Sequence, residues 1–514
     1  MAGVLSSALL LSPGAHGQVS AAENPGRLPA LGDSVSDDFD VGTERRLGDQ
    51  IMRDIRRDPD YIDDPVLLEY LQSVWQPLLK AARARGDIGP EIDQRFAWEP
   101  FLVRDRSVNA FALPGGFVGV HLGLIAMTAN RDELASVLGH EMSHVTQRHI
   151  ARSMANGKRQ TMVGVAAMIL GVLAASRSSR GDGANAVIAG GQALSVQGQL
   201  NFSRDMEREA DRIGFGVMTS AGYAPGGMAA MFEKLEQNSR LNDAGGFPYL
   251  RSHPLTSERI GEARARLGTV ARVAPVSALA HVAMQARARV LADPRVVPLQ
   301  RWQGQPAAEG QRLGVEEQLL TAYSNALAST LLREWSHADE ALQRAFALVR
   351  GSPRSDAQAE RAVALLAAQS HLERGDAAGA LPYLKPYQGP GSPPPRPVML
   401  LTAQAALMGD DDAVRRSADE LQTWTSLQPS DALAWVALGH AWERLGFSLR
   451  ALRADAESRV AIGDYTGAVD RLREGQRQAR AGGKVDFIEA SVIDSRLRAV
   501  EIQRRKQAEE KSEM

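Results

Sequence analysis

The stretch RDELASVLGHEMSH, residues 131–144, combines a helical apolar pattern with a metal-binding pattern. Its apolar residues Leu134, Val137, Leu138 and Met142 recur every three or four positions, which predicts an amphipathic helix. The acidic residues Asp132 and Glu133 at its start are typical of a helix N-terminus. We therefore expect a helix with one face against a core, and the HEMSH pentapeptide lies within it.

Two histidines of this helix, His140 and His144, are spaced so that both side chains lie on one face. They can direct two imidazole nitrogens at one zinc ion about 2 Å from each. Glu141 can reach a water on that metal and act as the general base of a peptidase. Chance surface histidines are the alternative interpretation. The third ligand must come from elsewhere, because Gln147 and Ile150 stand where a metzincin has Gly and His.

A carboxylate pair in the later stretch SRDMEREAD, residues 203–211, is the candidate source of that ligand. Glu207 and Asp211 are four residues apart, so one can bind the metal while the other hydrogen-bonds a ligand histidine. Glu209 faces another direction on the same helix. The same spacing also fits a solvated helix face of mixed charge, and spacing alone leaves both interpretations open.

The amino-acid composition limits which partners and which metal ligands this protein can have. The 514 residues, 44% hydrophobic and 23% charged, suffice for two domains with real cores. A formal net charge of -2 provides no global field for nucleic acid, which is not an expected partner. The absence of Cys excludes disulfides, thiolate ligands and a Cys nucleophile, so His and carboxylates are the available metal ligands.

Three apolar segments are relevant to export of the protein and to membrane contact. Residues 4–11 are apolar and lead into small, turn-prone residues, which predicts a signal peptide at 1–20. The first basic residue is Arg27, so a basic n-region is missing, and a frayed cytosolic tail is the alternative. Residues 161–176 and 184–194 are also apolar, but the first run is shorter than the roughly 20 residues that span a bilayer. This short length favours a buried hairpin, or a hairpin at the membrane surface with peripheral contact, over a transmembrane anchor.

The N-terminal half reads as helices around a small sheet. Helical periodicity at 43–53 and 65–85 precedes alternating and β-branched residues at 96–124, which flank a Pro-Gly-Gly turn. The strand at 109–112 is expected at an edge of this sheet, where Asn109, Ala110, Phe111 and Ala112 bind peptide substrate by β-addition. A plain sheet edge is the alternative.

The C-terminal half is rich in Ala, Leu and Arg in helical patterns. Gly375 and Gly409 each begin a Gly-Asp pair and stand 34 residues apart, the tetratricopeptide period. Trp435, Leu438 and Gly439 fit the helix signature of that repeat. The match is degenerate, and a generic helical bundle is the alternative.

The predicted fold is mainly α. A gluzincin-type α+β metallopeptidase domain of helices and a small sheet precedes an α-solenoid of tetratricopeptide-like repeats. The predicted divisions are a signal peptide at 1–20, a zinc metallopeptidase domain at 38–270, a linker at 271–311, a repeat domain at 312–503 and a charged tail at 504–514.

The HExxH motif followed by the ExxxD motif resembles the metallopeptidase family of the Ste24-type CAAX-prenyl endopeptidases and the HtpX membrane proteases. The resemblance implies that His140, His144 and Glu207 hold one Zn2+ per chain. It also implies that Glu141 is the catalytic base and that Asp211 has a proton-donor or supporting role.

Further stretches, SHVTQRH at 143–149, NAFA at 109–112 and EADRIG at 209–214, resemble exported members of this family that carry a repeat half. The resemblance implies a periplasmic zinc endopeptidase that degrades misassembled or stalled outer-membrane β-barrel proteins. It also implies a chaperone-like role in outer membrane protein assembly, beside the barrel assembly machinery.

The same resemblance assigns His253, in SHPL at 252–255, to the open zinc position, where it restrains activity. A surface-loop histidine is the alternative. We interpret His121 and His149 as structural, because neither has the spacing to join the ligands. A different functional hypothesis is a chaperone or assembly scaffold in which the repeat half does the work and the metal site is latent.

Overall fold

Helices dominate the protein, and a small sheet lies in its N-terminal half. The computed structural model describes residues 39–156, 202–241, 248–268, 278–304, 314–353, 355–389, 394–481 and 486–512. The predicted mainly α fold, an α+β peptidase domain followed by a helical half, is confirmed. The predicted signal peptide at 1–20 and the apolar segments at 161–176 and 184–194 lie outside the described residues.

The first half, in chain order, consists of α1 (Val41–Ile55), β1 (Tyr61–Ile62), α2 (Pro65–Arg85), α3 (Pro90–Arg95), β2 (Glu99–Val103), β3 (Ala110–Leu113), β4 (Phe117–His121), α4 (Leu122–Met127), α5 (Arg131–Thr146), α6 (His149–Asn156), α7 (Arg204–Ser220), α8 (Gly226–Leu241), α9 (Pro248–Ser252) and α10 (Ser257–Leu267).

The sheet has the strand order β1-β2-β4-β3, with β2 and β4 parallel and the other neighbours antiparallel. Gly115 and Gly116, at φ 76° and 90°, make the tight turn between β3 and β4, a backbone conformation that glycine adopts without strain. Among the described residues, strand β3 pairs with β4 alone and forms an edge of the sheet, as the sequence predicts for Ala110 to Ala112, with Asn109 just before it.

Helix α5 lies at the centre of the peptidase half. Asn130 caps it by accepting a hydrogen bond from the Glu133 amide at 3.0 Å, and every residue from Glu133 to Thr146 is buried. Gly139 of α5 faces Gly214 of α7 so closely that a Cβ on Gly214 would lie 2.9 Å from the Gly139 backbone. This approach brings the acidic residues of α7 against the histidines of α5.

The second half consists of α11 (Leu279–Leu291), α12 (Val296–Gln303), α13 (Val315–Leu332), α14 (Trp335–Arg350), α15 (Ala357–Glu373), α16 (Ala377–Leu384), a 3-10 turn (Lys385–Tyr387), α17 (Arg396–Leu407), α18 (Asp411–Leu427), α19 (Ala432–Arg444), α20 (Ser448–Ala461), α21 (Tyr465–Arg480) and α22 (Phe487–Ser512).

The recurring Gly-Asp pairs mark the junctions between these helices. Gly375 and Gly463 have φ of 81° and 78°, where a glycine ends one helix without strain. Asp376 and Asp464 then cap the next helix by accepting from the amide three residues ahead, at 2.8 and 2.9 Å. The repeat of this pair thus has a structural cause, although the tetratricopeptide assignment itself stays a prediction.

The segment predicted as a linker, 271–311, differs from that expectation in its described part. It forms α11 and α12, and α11 packs against α2 and α4 on one side and α13 and α15 on the other. Small residues such as Ala283, Ala286 and Ala288 are buried there, which lets the neighbouring helices approach closely. The described part of this segment belongs to the core that the two halves share. The described part of the predicted charged tail continues α22 as a helix.

Two bidentate ion pairs also join the halves. Arg287 of α11 donates to both carboxylate oxygens of Asp64 at 2.8 and 2.7 Å. Arg396 of α17 donates to both oxygens of Asp63 at 2.7 Å. Among the residues that the structure describes, no helix combines the length and the apolar character needed to cross a bilayer.

Candidate metal centre

Four buried side chains bring one donor atom each to a common point. His140 and His144 come from α5, Glu207 comes from α7, and His253 follows α9. Their donor atoms all lie within 4.8 Å of one another. The structure thus brings together the three ligands and the fourth, regulatory residue that the sequence analysis proposed.

The distances between these donors fit a zinc ion. The Nε2 atoms of His140 and His144 are 3.0 Å apart, and Nδ1 of His253 is 3.3 Å from Nε2 of His140 and 2.9 Å from Oε1 of Glu207. Glu207 oxygens lie 3.5 Å from Nε2 of each α5 histidine. Donors around a tetrahedral zinc ion with bonds of about 2.0–2.1 Å lie about 3.3 Å apart. Imidazole lone pairs that face one another at this distance are best satisfied by a cation between them.

Aromatic rings enclose the centre. Tyr249 stacks on the His253 ring with centroids 4.7 Å apart, and Phe202 stacks on His144 at 4.0 Å. The His253 amide donates to the Tyr249 carbonyl at 2.9 Å, so the turn after α9 holds His253 toward the cluster. These apolar faces exclude water from the donors and strengthen their interaction with a bound ion.

Asp211 lies behind His140, away from the common point. Its Oδ1 is 2.9 Å from Nδ1 of His140, and Arg259 donates to both its oxygens at 2.7 and 2.8 Å. Burial alone would raise the pKa of Asp211, but the hydrogen bonds from Arg259 and His140 hold that pKa below its usual range. An ionised carboxylate in this position orients His140, so the geometry favours the supporting role over that of proton donor.

Arg259 was not found from the sequence. Besides its contacts with Asp211, its Nη1 lies 2.8 Å from Oε2 of Glu207 and donates to the Pro254 carbonyl at 2.9 Å. One guanidinium therefore connects the two acidic residues of α7 to the turn that carries His253. No spacing rule links Arg259 to the motifs, because it lies on a different helix.

Both carboxylate oxygens of Glu141 are buried, and neither accepts a hydrogen bond of good geometry from a described residue. Nε2 of His253 lies 3.5 Å away from Oε1. Burial raises the pKa of Glu141, and the charges of His253 and His140 and the backbone amide of Ala112 oppose part of that rise. A buried carboxylate without a partner is costly and marks a place where a further polar group belongs.

His149, interpreted from the sequence as structural, in fact contacts the cluster from behind. Its Nδ1 is 2.9 Å from Nδ1 of His144, and its Nε2 is 3.1 Å from Oε2 of Glu209. Glu209 thus reaches the centre through His149, although it is not among the donors. His121 lies apart from the donor cluster, with Nδ1 3.0 Å from the Ser107 hydroxyl.

Comparison with known proteins agrees with this arrangement. The model of peptidase family M48 matches residues 69–267, which include all four donors. A Vibrio cholerae protein described as a β-barrel assembly-enhancing protease is 30% identical over 480 residues, 91% of this chain and 93% of that protein. The β-barrel assembly-enhancing protease of Escherichia coli K12 is 28% identical over 498 residues, 92% of each chain. The mitochondrial metalloendopeptidase OMA1 of Schizosaccharomyces pombe is 33% identical over 164 residues, 32% of this chain and 44% of that protein.

Proposed function

The chain belongs to the β-barrel assembly-enhancing protease family, with a peptidase family M48 domain at residues 69–267, and from that premise we propose its substrate, site roles and location. The protein is a zinc metalloendopeptidase. Its substrates are misassembled outer-membrane β-barrel proteins, and it works in the periplasm after export. The observation that carries the site assignment is the buried His, His and Glu donor set beside Glu141, a buried carboxylate that accepts no hydrogen bond of good geometry from the described residues.

In this mechanism His140, His144 and Glu207 would hold the zinc ion. When bound there, zinc would polarise the scissile carbonyl and lower the pKa of a water toward neutrality. Glu141, next to the ligand His140 in the chain, would act as the general base that takes a proton from the attacking water and returns it to the departing amine. Asp211 keeps the ring of His140 oriented through its Nδ1 contact. The Tyr249 and Phe202 rings limit the access of bulk water to the donors.

The edge strand β3 supplies the proposed substrate track. Asn109, Ala110, Phe111 and Ala112 lie at or next to the unpaired edge of the sheet, and β3 packs against α5. An extended peptide can add to such an edge through backbone hydrogen bonds that tolerate many sequences. The backbone amide of Ala112 interacts with the Glu141 carboxylate, which supports a peptide that runs past the general base. An unfolded barrel strand has the extended form that this mode requires.

The helical half is the proposed site for partners. Stacked helices of a repeat array present an extended concave surface, and we assign it to stalled barrel chains or to the barrel assembly machinery. A chaperone-like role in their maturation belongs to the same proposal. Any peripheral membrane contact by residues 161–194 would involve a segment outside the described residues.

The function is tested by incubating the purified, zinc-loaded chain with an unfolded outer-membrane barrel protein and with the same protein folded in detergent. We expect cleavage of the unfolded form, its loss after treatment with a chelator and its recovery when zinc is restored. Metal analysis should find one zinc per chain. A zinc-loaded, folded chain that cleaves neither the barrel protein nor casein would favour the scaffold hypothesis instead.

His253 provides a second test. A zinc ion held by all four donors, with Nδ1 of His253 among them, would have no open position for water, so His253 would have to leave before turnover. Suppose that the state with His253 at the metal site is about ten times more populated than the state in which it has left. His253→Ala then raises kcat/KM about tenfold. Casein cleavage by the variant and by a His440→Ala control, which removes an exposed histidine of α19, measures this. Unchanged or lower activity in a folded, zinc-loaded His253→Ala variant would contradict the autoinhibitory role.

A further inference from the structure

We infer that Glu209 and His149 form a positioning chain that holds His144 in the tautomer and orientation needed to bind zinc. The inference rests on the proposed function, in which His144 is a zinc ligand. It extends that function by assigning roles to two residues behind the site, neither of which contacts the substrate or supplies a donor to the metal.

The chain begins at a carboxylate that is fixed in place. Arg152 of α6 donates to Oε2 of Glu209 at 2.8 Å, and the same oxygen lies 3.1 Å from Nε2 of His149. The His149 side chain is fully buried, while Glu209 retains 20% of its side-chain exposure. An ionised carboxylate only accepts hydrogen bonds, so Nε2 of His149 must be the donor.

The direction of the next hydrogen bond follows from the first. A neutral imidazole carries one N–H, and in His149 that hydrogen is on Nε2, which leaves Nδ1 as an acceptor. Nδ1 of His144 is 2.9 Å from it and must donate. The hydrogen of His144 is then on Nδ1, and its Nε2 lone pair faces Nε2 of His140 and Oε1 of Glu207. The three residues thus have one consistent set of hydrogen positions, and it leaves Nε2 of His144 free for zinc.

The backbone is shaped to make this contact. In a continuous helix, residues five apart point in different directions, so His149 would not meet His144. The helix instead breaks after Thr146, and Arg148 adopts φ 52°, a left-handed conformation that is strained for a residue other than glycine. The Arg148 side chain is held by Glu44 and by the Phe39 carbonyl, each at 2.8 Å. Ion pairing with α1 therefore maintains the turn that returns His149 to the site.

A parallel arrangement supports the other α5 histidine. Asp211 contacts Nδ1 of His140, and Arg259 holds Asp211. Each histidine of the HExxH motif thus has its Nδ1 fixed by a buried partner, which is held in turn by a charged residue. The Asp211 carboxylate contacts His140 directly, whereas Glu209 acts on His144 through the imidazole of His149.

The experiment measures the zinc dissociation constant of the purified full-length chain by competition with a chelator of known affinity. His149→Ala should raise the constant about 10–100-fold, the usual effect of removing a group that orients a ligand. Glu209→Ala should raise it by a smaller factor, and should add nothing in a His149→Ala background, because Glu209 acts through His149. In His149→Gln, the amide oxygen can accept from His144 and should restore part of the affinity.

Glu258→Ala is the matched control, because Glu258 pairs with exposed Arg208 on the same helix as Glu209. It should leave zinc binding unchanged. A His149→Ala variant with the wild-type zinc constant and a lower melting temperature of the metal-free protein would show a purely structural role and overturn the inference. If that variant does not fold, Glu209→Ala and His149→Gln decide by the same measurement. A wild-type chain that binds no zinc is a different result, which removes the proposed metal centre as a whole.

Discussion

Glu141→Gln is expected to lower the rate of peptide hydrolysis about 10²–10⁴-fold, the range that a general acid–base residue contributes. Gln has nearly the shape of Glu but cannot take a proton from water at neutral pH. The change leaves His140, His144 and Glu207 in place, so zinc content should stay at one ion per chain. Neither Glu141 oxygen accepts a hydrogen bond of good geometry from the described residues, so the amide removes no such bond from the site.

The measurement is kcat/KM on casein or an unfolded barrel protein, with zinc analysis and a melting curve for each preparation. Glu258→Gln, on the exposed surface of α10, serves as the control for an isosteric loss of charge and should retain full activity. A Glu141→Gln chain that cleaves at more than about a tenth of the wild-type rate would exclude Glu141 as the base. A variant that loses zinc as well would instead assign Glu141 a part in metal binding.

The largest expected effect on stability comes from Asp64→Ala, at the joint between the two halves. Arg287 is buried with 4% of its side chain exposed, and Asp64 accepts from it at both oxygens. Removing one partner of a buried pair leaves an uncompensated charge and costs about 3–5 kcal/mol. Asp64 also caps α2 by accepting from the Leu67 amide at 2.9 Å, and the lost cap adds about 1 kcal/mol.

Asp63→Ala is the matched comparison, because it removes the neighbouring carboxylate but leaves its arginine paired. Arg396 keeps two hydrogen bonds to Asp431, at 2.7 and 2.9 Å. We expect the free energy of unfolding to fall by about 1 kcal/mol or less when this partly exposed pair is removed. Denaturant unfolding of the zinc-loaded chains, followed by circular dichroism, compares them. Equal losses for Asp63→Ala and Asp64→Ala would show that the buried Arg287 is not what makes the joint stable.

Replacing the whole pair separates the cost of an unpaired charge from the value of the ion pair. Asp64→Ala combined with Arg287→Met removes both charges and should recover most of the loss attributed to Arg287, because a buried pair is often no better than apolar side chains of similar volume. The lost α2 cap would remain. A double variant as unstable as Asp64→Ala would mean that the cap, or the Arg287 contact with Tyr323, accounts for the effect.

The sequence alone determined those parts of the site that lie along single helices. The period of apolar residues predicts α5, and the spacing of its histidines directs both to one point. The same reasoning paired Glu207 with Asp211, because residues four apart share a face. The alternation of residues around a Pro-Gly-Gly turn located the small sheet and its edge strand. These inferences rest on the regular geometry of helices and strands, and the family resemblance assigned Glu207 and Asp211 to the site where their spacing alone also fits a solvated helix face.

The tertiary structure alone decided which residues support the site and how the two halves meet. Arg259 acts on Glu207 and Asp211 from another helix, and His149 reaches His144 because Arg148 turns the backbone out of the helix. The buried helix α11 occupies part of the segment 271–311, which was predicted as a linker. These contacts depend on backbone turns and on side chains distant in sequence, and the periodicity of a helix or strand carries no information about either.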